Sequence, residues 1–389
     1  MTLTERIALP GRKKLLAIDG GGVRGVLALE VLQRIEDLLR QEGGYEEFCL
    51  AEYFDYISGT STGGIIAACL SRGMSVASIL KFYEDAGADM FTKANLLKRL
   101  RYKFESEPLA LKLQEVFGAD TTFGADTLRT LLLLVLRNAT TDSPWPLSNN
   151  PYAKYNASGR HDNNRMFPLW QLVRASTAAP TYFPPEVIAL PHADPAKMKE
   201  FVFVDGGVTM YNNPAFQMFL MATLDKYWAQ RPDARWRTGA DNMLIVSVGT
   251  GTSPGVRTGL EADDMNLLFN ATTIPSALMF AALNEQDLLC RVFGDCRAGD
   301  QIDREIGDLI GSVGPLSRDQ KLFTYMRYNA ELTRDGLDAL GCSDIEPETV
   351  QKLDSVDGIP DLRKVGQQVA QRKVLAAHFS GVPVRRVQA

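Results

Sequence analysis

Three short glycine-containing motifs in this chain carry residues that could do chemistry. The first is Gly59-Thr60-Ser61-Thr62-Gly63, which fits G-x-S-x-G between a predicted strand and a predicted helix. A serine on a sharp strand-to-helix turn needs small neighbours because the backbone bends tightly there. The following helix N-terminus offers free N–H groups to a developing oxyanion. The motif therefore predicts a nucleophile elbow, although a glycine- and serine-rich turn or a phosphate-binding loop has the same pattern.

A second motif follows the first predicted strand and reads Asp19-Gly20-Gly21-Gly22-Val23-Arg24-Gly25. It matches G-x-G-x-x-G, but a dinucleotide site expects an acidic residue at the end of the next strand, about 20 positions on. Glu42, Glu46 and Glu47 have that spacing but belong to a helix end and turn. The Gly-Lys-Ser/Thr of a P-loop is missing from the motif. The remaining interpretation is an oxyanion hole of backbone N–H groups, which glycines allow a substrate to approach closely.

The third motif places a carboxylate at the end of a strand. Asp205 follows the predicted strand Phe201–Val204 and precedes Gly206 and Gly207. Catalytic groups of α/β sheets commonly lie where strands end, so Asp205 is a candidate base. An Asp-Gly turn that only closes the strand is the ordinary alternative.

The scarcity of histidine limits how Ser61 could be activated. A serine nucleophile needs a base, and the usual base is histidine. The chain has only His161, His192 and His378, and none of them follows a strand end or a glycine turn. We therefore predict a Ser61–Asp205 dyad, in which burial would adjust the pKa of the carboxylate. Contact between His161 and Ser61 would contradict this prediction.

The elements that must position these residues alternate between strands and helices. Strands predicted at Lys14–Ile18 and Tyr53–Ser58 are each followed by a glycine turn and an apolar helix, the second at Ile65–Leu70. Two such units indicate an α/β fold with a mostly parallel central sheet and helices on both faces. Further strands are predicted at Leu131–Arg137, Phe201–Val204 and Met243–Val248, and further helices at Leu169–Ser176 and Gln217–Trp228.

Two regions give no strand signal. The segment from Asn138 to Asn164 is polar and contains several prolines, which predicts loops. After Gly255 the strand signals stop and helical periods continue to Phe379. We therefore expect a catalytic core at residues 13–255 and a mainly helical region at residues 256–389 packed on it.

Composition excludes several classes of protein. The chain has 389 residues, a formal charge of −5 and 45% apolar residues, which argues against disorder. No apolar block approaches the length of about 18 residues that a membrane span needs. Five scattered cysteines without a CxxC pair argue against a disulfide scaffold and a zinc site. With no signal-peptide pattern at the N-terminus, we expect a cytoplasmic protein. The small acidic surplus gives no reason to expect a nucleic-acid partner. We expect no metal or cofactor.

Together and in this order, the three motifs resemble those of the patatin-like phospholipase family. The Asp19–Gly25 motif is similar to its oxyanion-hole motif, Gly59–Gly63 to its nucleophile elbow, and Asp205-Gly206-Gly207 to its acid motif. Gly207 stands where many members have Ala. Three further segments are similar to features that frame the family site: Ala175–Pro180 with Tyr182–Pro184, Asn212–Pro214, and Ser247–Gly251. The resemblance covers about residues 13–255.

The resemblance implies a lipid acyl hydrolase with a Ser–Asp dyad and no metal. Ser61 would attack an ester of a membrane glycerophospholipid, Asp205 would take its proton, and backbone N–H groups near Gly20–Gly22 and Gly25 would hold the oxyanion. Arg24 would orient that loop through an ion pair or bind a lipid phosphate. Bacterial members of the family include antiphage effectors that are activated by cyclic nucleotides, so residues 256–389 would hold such a pocket or a homo-oligomer interface.

Two other functions stay open. Acyl transfer to an acceptor other than water would use the same dyad. A non-hydrolytic sensor could instead bind a nucleotide phosphate in the glycine loop, which would leave Asp205 without a purpose.

Two segments bear on contact with a membrane. Five basic residues among leucines predict either an interfacial helix or an ordinary solvated face: Lys93, Lys98, Arg99, Arg101 and Lys103. The apolar segment Ile274–Leu289 predicts core packing, with an acyl channel or a lid as the alternative.

Overall fold

The computed structural model describes residues 1–43, 45–90, 107–192, 194, 196, 198–253, 261 and 267–380. Nine strands in these ranges belong to one sheet. The strands are β1 (Lys13–Ile18), β2 (Tyr56–Thr60), β3 (Leu131–Asn138), β4 (Ser143–Ser148), β5 (Glu186–Leu190), β6 (Lys199–Asp205), β7 (Met243–Val248), β8 (Asp295–Ala298) and β9 (Thr324–Tyr328).

Helices surround this sheet. The α-helices are α1 (Leu3–Ala8), α2 (Gly25–Gly43), α3 (Leu50–Tyr53), α4 (Thr62–Ser71), α5 (Val76–Met90), α6 (Glu107–Phe117), α7 (Leu169–Ser176), α8 (Ala215–Thr223), α9 (Leu267–Phe293), α10 (Arg334–Ala339), α11 (Pro347–Gln351) and α12 (Ile359–Lys373).

The hydrogen-bonded order of the strands is β5-β6-β3-β2-β1-β7-β9-β8, and β4 pairs with β3. The pairings of β1, β2, β3, β7, β8 and β9 with one another are parallel. The pairings of β3 with β4, β3 with β6 and β5 with β6 are antiparallel. The predicted α/β fold with a mostly parallel central sheet is therefore confirmed.

The core has one part on each face of the sheet. Side chains of β1 alternate between the faces because successive residues of a strand point to opposite sides. Leu16 and Ile18 belong to the larger cluster, which includes apolar residues of α2, α4, α7 and α12. Leu15 and Ala17 belong to the smaller cluster, with residues of α1, α8 and α9. Helices therefore cover both faces, as predicted.

The expectation that strands end near residue 255 is wrong. β8 and β9 lie beyond it and pair with each other, and β9 also pairs with β7. β8 has only four residues, and β9 contains the charged Arg327, so neither shows the apolar run expected of a buried strand. The described part of 256–389 is thus not only helical. The division of the chain into units at 13–255 and 256–389 stays a prediction.

Three shorter predictions also need correction. The segment 138–164 contains β4, whose Pro144 and Pro146 do not prevent pairing with β3 on its edge. The predicted strand at 53–58 begins later, because α3 ends at Tyr53. The helix predicted over Gln217–Trp228 ends at Thr223, and a short 3₁₀ turn follows.

The two segments with predicted membrane contact have different outcomes. The basic cluster at 93–103 lies outside the described residues. In the predicted segment Ile274–Leu289 of α9, core packing holds in the second half, where Leu283 is buried. It fails for the first half, where Ile274 and Leu278 are 49% and 65% exposed. No helix among the described residues is long and apolar enough to cross a bilayer.

Candidate active site

The site forms where two strands meet end to end beside β3. Thr60, the last residue of β2, pairs with Val135, and Asp205, the last residue of β6, pairs with the next residue, Leu136. Because β4 pairs with β3 along residues 133–138, β2 and β6 must share the other edge of β3. The two strands run in opposite directions, so their ends point at each other. This register brings the residue after Thr60 next to Asp205.

Ser61 lies on a sharp turn between β2 and α4. Its backbone has φ 56° and ψ −124°, a conformation that residues with a side chain rarely adopt. Its carbonyl accepts hydrogen bonds from the Gly64 and Ile65 N–H groups, which starts α4 directly after the turn. The Ser61 side chain stays partly exposed. This is the geometry predicted for a nucleophile elbow.

The glycines on either side of Ser61 are needed for close approach. A Cβ on Gly59 would lie 1.9 Å from the Gly63 carbonyl oxygen, and one on Gly63 would lie 2.3 Å from the Ile18 carbonyl oxygen. Both distances are far below van der Waals contact. The turn therefore folds against itself and against the end of β1, which only glycine permits.

Asp205 is buried and is hydrogen-bonded through both carboxylate oxygens. The Ser61 hydroxyl donates to Oδ2 at 2.6 Å, and the Gly207 N–H donates to Oδ1 at 2.6 Å. Burial raises the pKa of Asp205 to about 6, although both hydrogen bonds and the charge of Arg174 act in the opposite direction. The carboxylate can therefore accept a proton near neutral pH.

The C-terminal end of α7 contacts both members of the pair. Ser176 accepts a hydrogen bond from the Ser61 N–H at 2.9 Å and donates one to the Val135 carbonyl at 2.7 Å. The Asp205 N–H donates to the Ala178 carbonyl at 3.0 Å. These contacts fix Ser61 and Asp205 relative to the same helix.

The glycine loop, residues 19–25, follows β1 and lies beside Ser61. A Cβ on Gly20 would lie 3.3 Å from the Ser61 Cβ, which shows how closely the loop passes the serine. The Gly20 N–H donates to the Asn212 carbonyl, and its carbonyl accepts from the Thr250 hydroxyl at 2.7 Å. The N–H groups of Gly21 and Gly22 have no hydrogen-bond partner within the described ranges. They are available to a negatively charged oxygen.

A buried ion pair holds the first residue of the glycine loop. Arg327 of β9 donates to both oxygens of Asp19, at 2.9 and 2.5 Å, and to the Ser247 hydroxyl at 2.8 Å. The side chains of Arg327 and Asp19 are 2% and 1% exposed. Burial raises the pKa of Asp19, and the adjacent guanidinium opposes that shift. Burial acts to lower the pKa of Arg327, but the contacts with Asp19 outweigh it and leave that pKa above its usual value.

Arg24 has no ion pair or hydrogen bond through its guanidinium within the part of the chain that the structure describes. The side chain is half-buried, and burial lowers its pKa to about 10 while the charge of Asp19 opposes the change. The predicted loop-anchoring ion pair of Arg24 is therefore not seen there. Gly25 begins α2, against Thr62 of the elbow.

The other predicted site residues have structural contacts. The Thr60 hydroxyl donates to the Tyr211 carbonyl at 2.7 Å. Thr62 hydrogen-bonds the Tyr83 hydroxyl at 2.5 Å. Gly206 and Gly207 form a short 3₁₀ turn after β6, and its first carbonyl accepts from the Thr209 N–H and hydroxyl.

No histidine contacts Ser61 among the described residues. His161 and His192 are exposed, and His192 Nδ1 accepts from the Asp194 N–H. His378 hydrogen-bonds the Tyr328 hydroxyl at 2.8 Å. In the same ranges, no group of three or more His, Cys, Asp or Glu residues could hold a metal ion.

Two charged residues near the site were not singled out from the sequence. Arg174 is fully buried in α7, donates to the Pro184 carbonyl at 2.9 Å and lies over the Phe183 ring. Arg327 is buried in β9. Each of these arginines stands alone in a mostly apolar or aromatic segment. This pattern could have indicated a functional or structural role, because a charge buried in the core needs a partner.

Residues 16–219, just over half of the chain, match the family described as "Patatin-like phospholipase". A "cGAMP-activated phospholipase" of Escherichia coli (strain TW11681) is 32% identical over 248 residues, which cover 61% of this chain and 62% of that protein. A "cGAMP-activated phospholipase" of Vibrio cholerae is 28% identical over 253 residues (62% and 65%). "Patatin-T5" of Solanum tuberosum is 29% identical over 250 residues (61% and 60%). The chain thus spans less than two thirds of the length of these curated relatives.

Two solved structures are similar at low sequence identity. "Human GIVD cytosolic phospholipase A2" has a TM-score of 0.48 and 13% identity, over 95% of this chain and 60% of that chain. VipD from Legionella pneumophila has a TM-score of 0.39 and 14% identity, over 93% and 66%. Both scores are too low to inform the function of this chain. On the family match over residues 16–219, the chain belongs to the patatin-like phospholipase family.

Proposed function

We propose that this protein is a serine lipid acyl hydrolase that cleaves ester bonds of membrane glycerophospholipids through a Ser61–Asp205 dyad. The observation that carries the proposal is the 2.6 Å hydrogen bond from the Ser61 hydroxyl to a buried carboxylate. A nucleophile within hydrogen-bond reach of its base is the arrangement that acyl transfer needs. Family membership supports a phospholipid substrate.

In the first step, Asp205 Oδ2 accepts the Ser61 proton while Oγ attacks the ester carbonyl carbon. Burial supports this role, because it raises the pKa of Asp205 to about 6 and makes the carboxylate a stronger base than an exposed aspartate. Collapse of the tetrahedral intermediate transfers that proton to the departing alcohol oxygen of the lysophospholipid. The acyl group stays on Ser61.

The Gly21 and Gly22 N–H groups hold the negative charge that develops on the carbonyl oxygen. Their lack of a partner among the described residues and the closeness of the loop to Ser61 support this role. One such donor typically lowers the barrier by about 2.7–4 kcal/mol. In the second step, Asp205 takes a proton from water, which attacks the carbonyl carbon of the acyl-enzyme. Collapse of that intermediate breaks the bond to Ser61 Oγ, which takes the proton back from Asp205, and the fatty acid is released.

Arg24 binds the phosphate of the lipid headgroup. The Arg24 side chain is half-buried in the glycine loop, its buried Nε has no hydrogen-bond partner, and its guanidinium has no competing carboxylate contact within the described residues. A free guanidinium recognises phosphate by paired N–H donors. The lipid is reached by transient contact of the protein with a membrane surface.

The same family includes relatives whose activity has a named activator. Two relatives at 32% and 28% identity are named "cGAMP-activated phospholipase". We extend the proposal to activation of this hydrolase by a cyclic nucleotide. Fatty-acid release measured with and without cGAMP tests the extension, and equal rates would contradict it.

Purified protein incubated with vesicles of phosphatidylethanolamine and phosphatidylglycerol tests the proposal directly. Wild type should release free fatty acid and lysophospholipid, and a fluorophosphonate probe should label Ser61. Ser61→Ala should lose both, whereas Ser78→Ala, which changes an exposed serine of α5, should keep both. Fatty-acid release by Ser61→Ala would reject the proposal. Acyl transfer to an added alcohol in preference to water would favour an acyltransferase, and absence of both labelling and release would favour a sensor.

A further inference from the structure

We propose that Arg327 is a positioning residue for the hydrolase, and that it holds the glycine loop in its catalytic conformation through Asp19. The proposal rests on the function proposed above, in which the loop supplies the oxyanion donors. It gives β9 a role in positioning the site, although this strand lies in the region that the sequence predicts to be mainly helical. The residue acts through the loop and does not itself touch the substrate.

The contact between Arg327 and Asp19 fixes the orientation of the Asp19 carboxylate. Two guanidinium nitrogens bind the two carboxylate oxygens, a geometry that fixes both the position and the angle of the carboxylate. A third contact binds Arg327 to the Ser247 hydroxyl at the end of β7. The Ser247 hydroxyl in turn donates to Asn213 Oδ1 at 3.3 Å. The arginine therefore joins the ends of β1, β7 and β9 and the turn after Tyr211.

The glycine loop is held next to this network by backbone hydrogen bonds on both sides of Gly21 and Gly22. The Asp19 N–H donates to the Val248 carbonyl, and the Gly20 N–H donates to the Asn212 carbonyl. Farther along, the Val23 N–H donates to the Leu353 carbonyl at 2.9 Å. Gly21 and Gly22 lie between these fixed points. The direction of their N–H groups thus depends on where the loop begins, and Asp19 sets that beginning.

Arg327 is placed to affect the chemical step more than substrate affinity. Arg327 is 3% exposed and contacts the glycine loop through Asp19, so we expect no direct contact between Arg327 and a bound lipid. A displacement of about 1 Å in oxyanion donors can cost about 10²-fold in rate, because the charge they stabilise develops only in the transition state. Loss of Arg327 should therefore lower kcat and leave KM nearly unchanged.

The chain offers a matched control in a second buried ion pair. Arg291 of α9 donates to both oxygens of Asp287, at 3.0 and 2.7 Å, and its side chain is 2% exposed. Arg291 also donates to the Asp300 and Asp308 carbonyls, and it makes no hydrogen bond to the glycine loop. Arg291→Met therefore removes a comparable buried pair without touching the loop.

The experiment compares Arg327→Met, Arg327→Lys and Arg291→Met in the full chain with p-nitrophenyl butyrate, a soluble ester that needs no membrane. End-point labelling of Ser61 by a fluorophosphonate counts folded sites, so that kcat is expressed per labelled site. We expect about 100-fold lower kcat for Arg327→Met with KM within 3-fold, partial recovery in Arg327→Lys, and wild-type kcat per site in Arg291→Met.

A double variant keeps the test valid if Arg327→Met does not fold. Asp19→Leu with Arg327→Met replaces the pair by apolar side chains, a change that often leaves stability intact. It should fold and show the same loss of kcat. Wild-type kcat per labelled site in any folded Arg327→Met protein, or an equal loss in Arg291→Met, would overturn the proposal. A failure of the dyad itself would instead appear as labelling or hydrolysis that survives Ser61→Ala.

Discussion

Two buried aspartates near the site, Asp19 and Asp205, differ in what binds their oxygens. Both end or follow a strand, and both have a pKa that burial raises. Asp19 faces the fixed positive charge of Arg327 through two hydrogen bonds. Asp205 faces a hydroxyl and an amide, and no cation among the described residues is in hydrogen-bonding contact with it. The first carboxylate is therefore fixed in an ion pair, and the second is bound by neutral donors and can exchange a proton with Ser61.

Ser61 and Asp205 on the one hand, and the glycine loop on the other, are held by different parts of the chain. The dyad is held by contacts with β3 and α7, which precede residue 255 in the chain. The glycine loop is held by β9 and by the Leu353 carbonyl, which follow it. The residues after 255 are thus part of what supports the site.

The largest expected effect comes from removing the exchangeable carboxylate. Asp205→Asn can keep both contacts, because its oxygen can accept from the Gly207 N–H and its amide can donate to Ser61 Oγ. The Ser61 proton then has no acceptor. We expect kcat to fall by about 10³–10⁴-fold, measured with p-nitrophenyl butyrate per folded protein. Activity within 10-fold of wild type would show that Asp205 is not the base.

Asp19→Asn should destabilise the folded protein. It leaves the buried guanidinium of Arg327 without its counter-charge, which should lower the free energy of unfolding by about 3–5 kcal/mol. Urea denaturation at pH 8 measures the change, with Arg291→Met as the control for loss of a buried pair. A variant as stable as wild type would mean that the pair is not a fixed anion and cation.

The stability effect of Asp205→Asn should depend on pH. The folded-state pKa of about 6 exceeds the ordinary value of 3.8, so wild type loses stability as pH rises from about 4 to above 6. Asparagine does not ionise, so the variant does not lose stability in this pH range. It should be more stable than wild type at pH 8 by about 3 kcal/mol, and equal to it below about pH 4. A pH-independent difference in thermal midpoint would contradict the assignment of the buried charge.

The smallest expected effect concerns Arg174. Its charge opposes the rise in the pKa of Asp205, so Arg174→Met should move the acid limb of kcat/KM to higher pH. Arg174→Lys keeps the charge and should leave the limb near its wild-type position. The pH profiles of kcat/KM for the two variants are measured side by side. An acid limb with the same midpoint in both variants would show that the charge of Arg174 does not affect the pKa of Asp205.

Local rules were enough to predict the sharp turn at Ser61. Gly59, Ser61 and Gly63 must fold as a tight turn wherever a strand enters a helix in this way, and the structure has that turn. The order of the motifs and the absence of a well-placed histidine pointed to Asp205, and no histidine contacts Ser61 in the described residues. The sequence does not predict that β6 runs antiparallel to β3, because the residue pattern of one strand does not show its direction relative to its neighbours.

The contacts that hold the glycine loop could not be predicted, because they join positions far apart in the chain. Asp19 and Arg327 are 308 residues apart, and nothing in either local pattern names the other. A lone arginine in β9 interrupts the apolar run by which a buried strand is recognised, so the strand itself went unpredicted. Arg327 therefore interrupts the sequence pattern of the strand and, in the proposed role, also holds the glycine loop of the site.

In the proposed mechanism Asp205 activates Ser61, so the rate at which a fluorophosphonate labels Ser61 should depend on the ionisation of Asp205. Because the base must be ionised, the labelling rate of wild type should fall with a single midpoint near pH 6 as the solution is made acidic. Asp205→Asn should label at least 10³-fold more slowly across the range. A wild-type rate in Asp205→Asn, or a labelling rate that does not change between pH 4 and pH 8, would contradict the dyad.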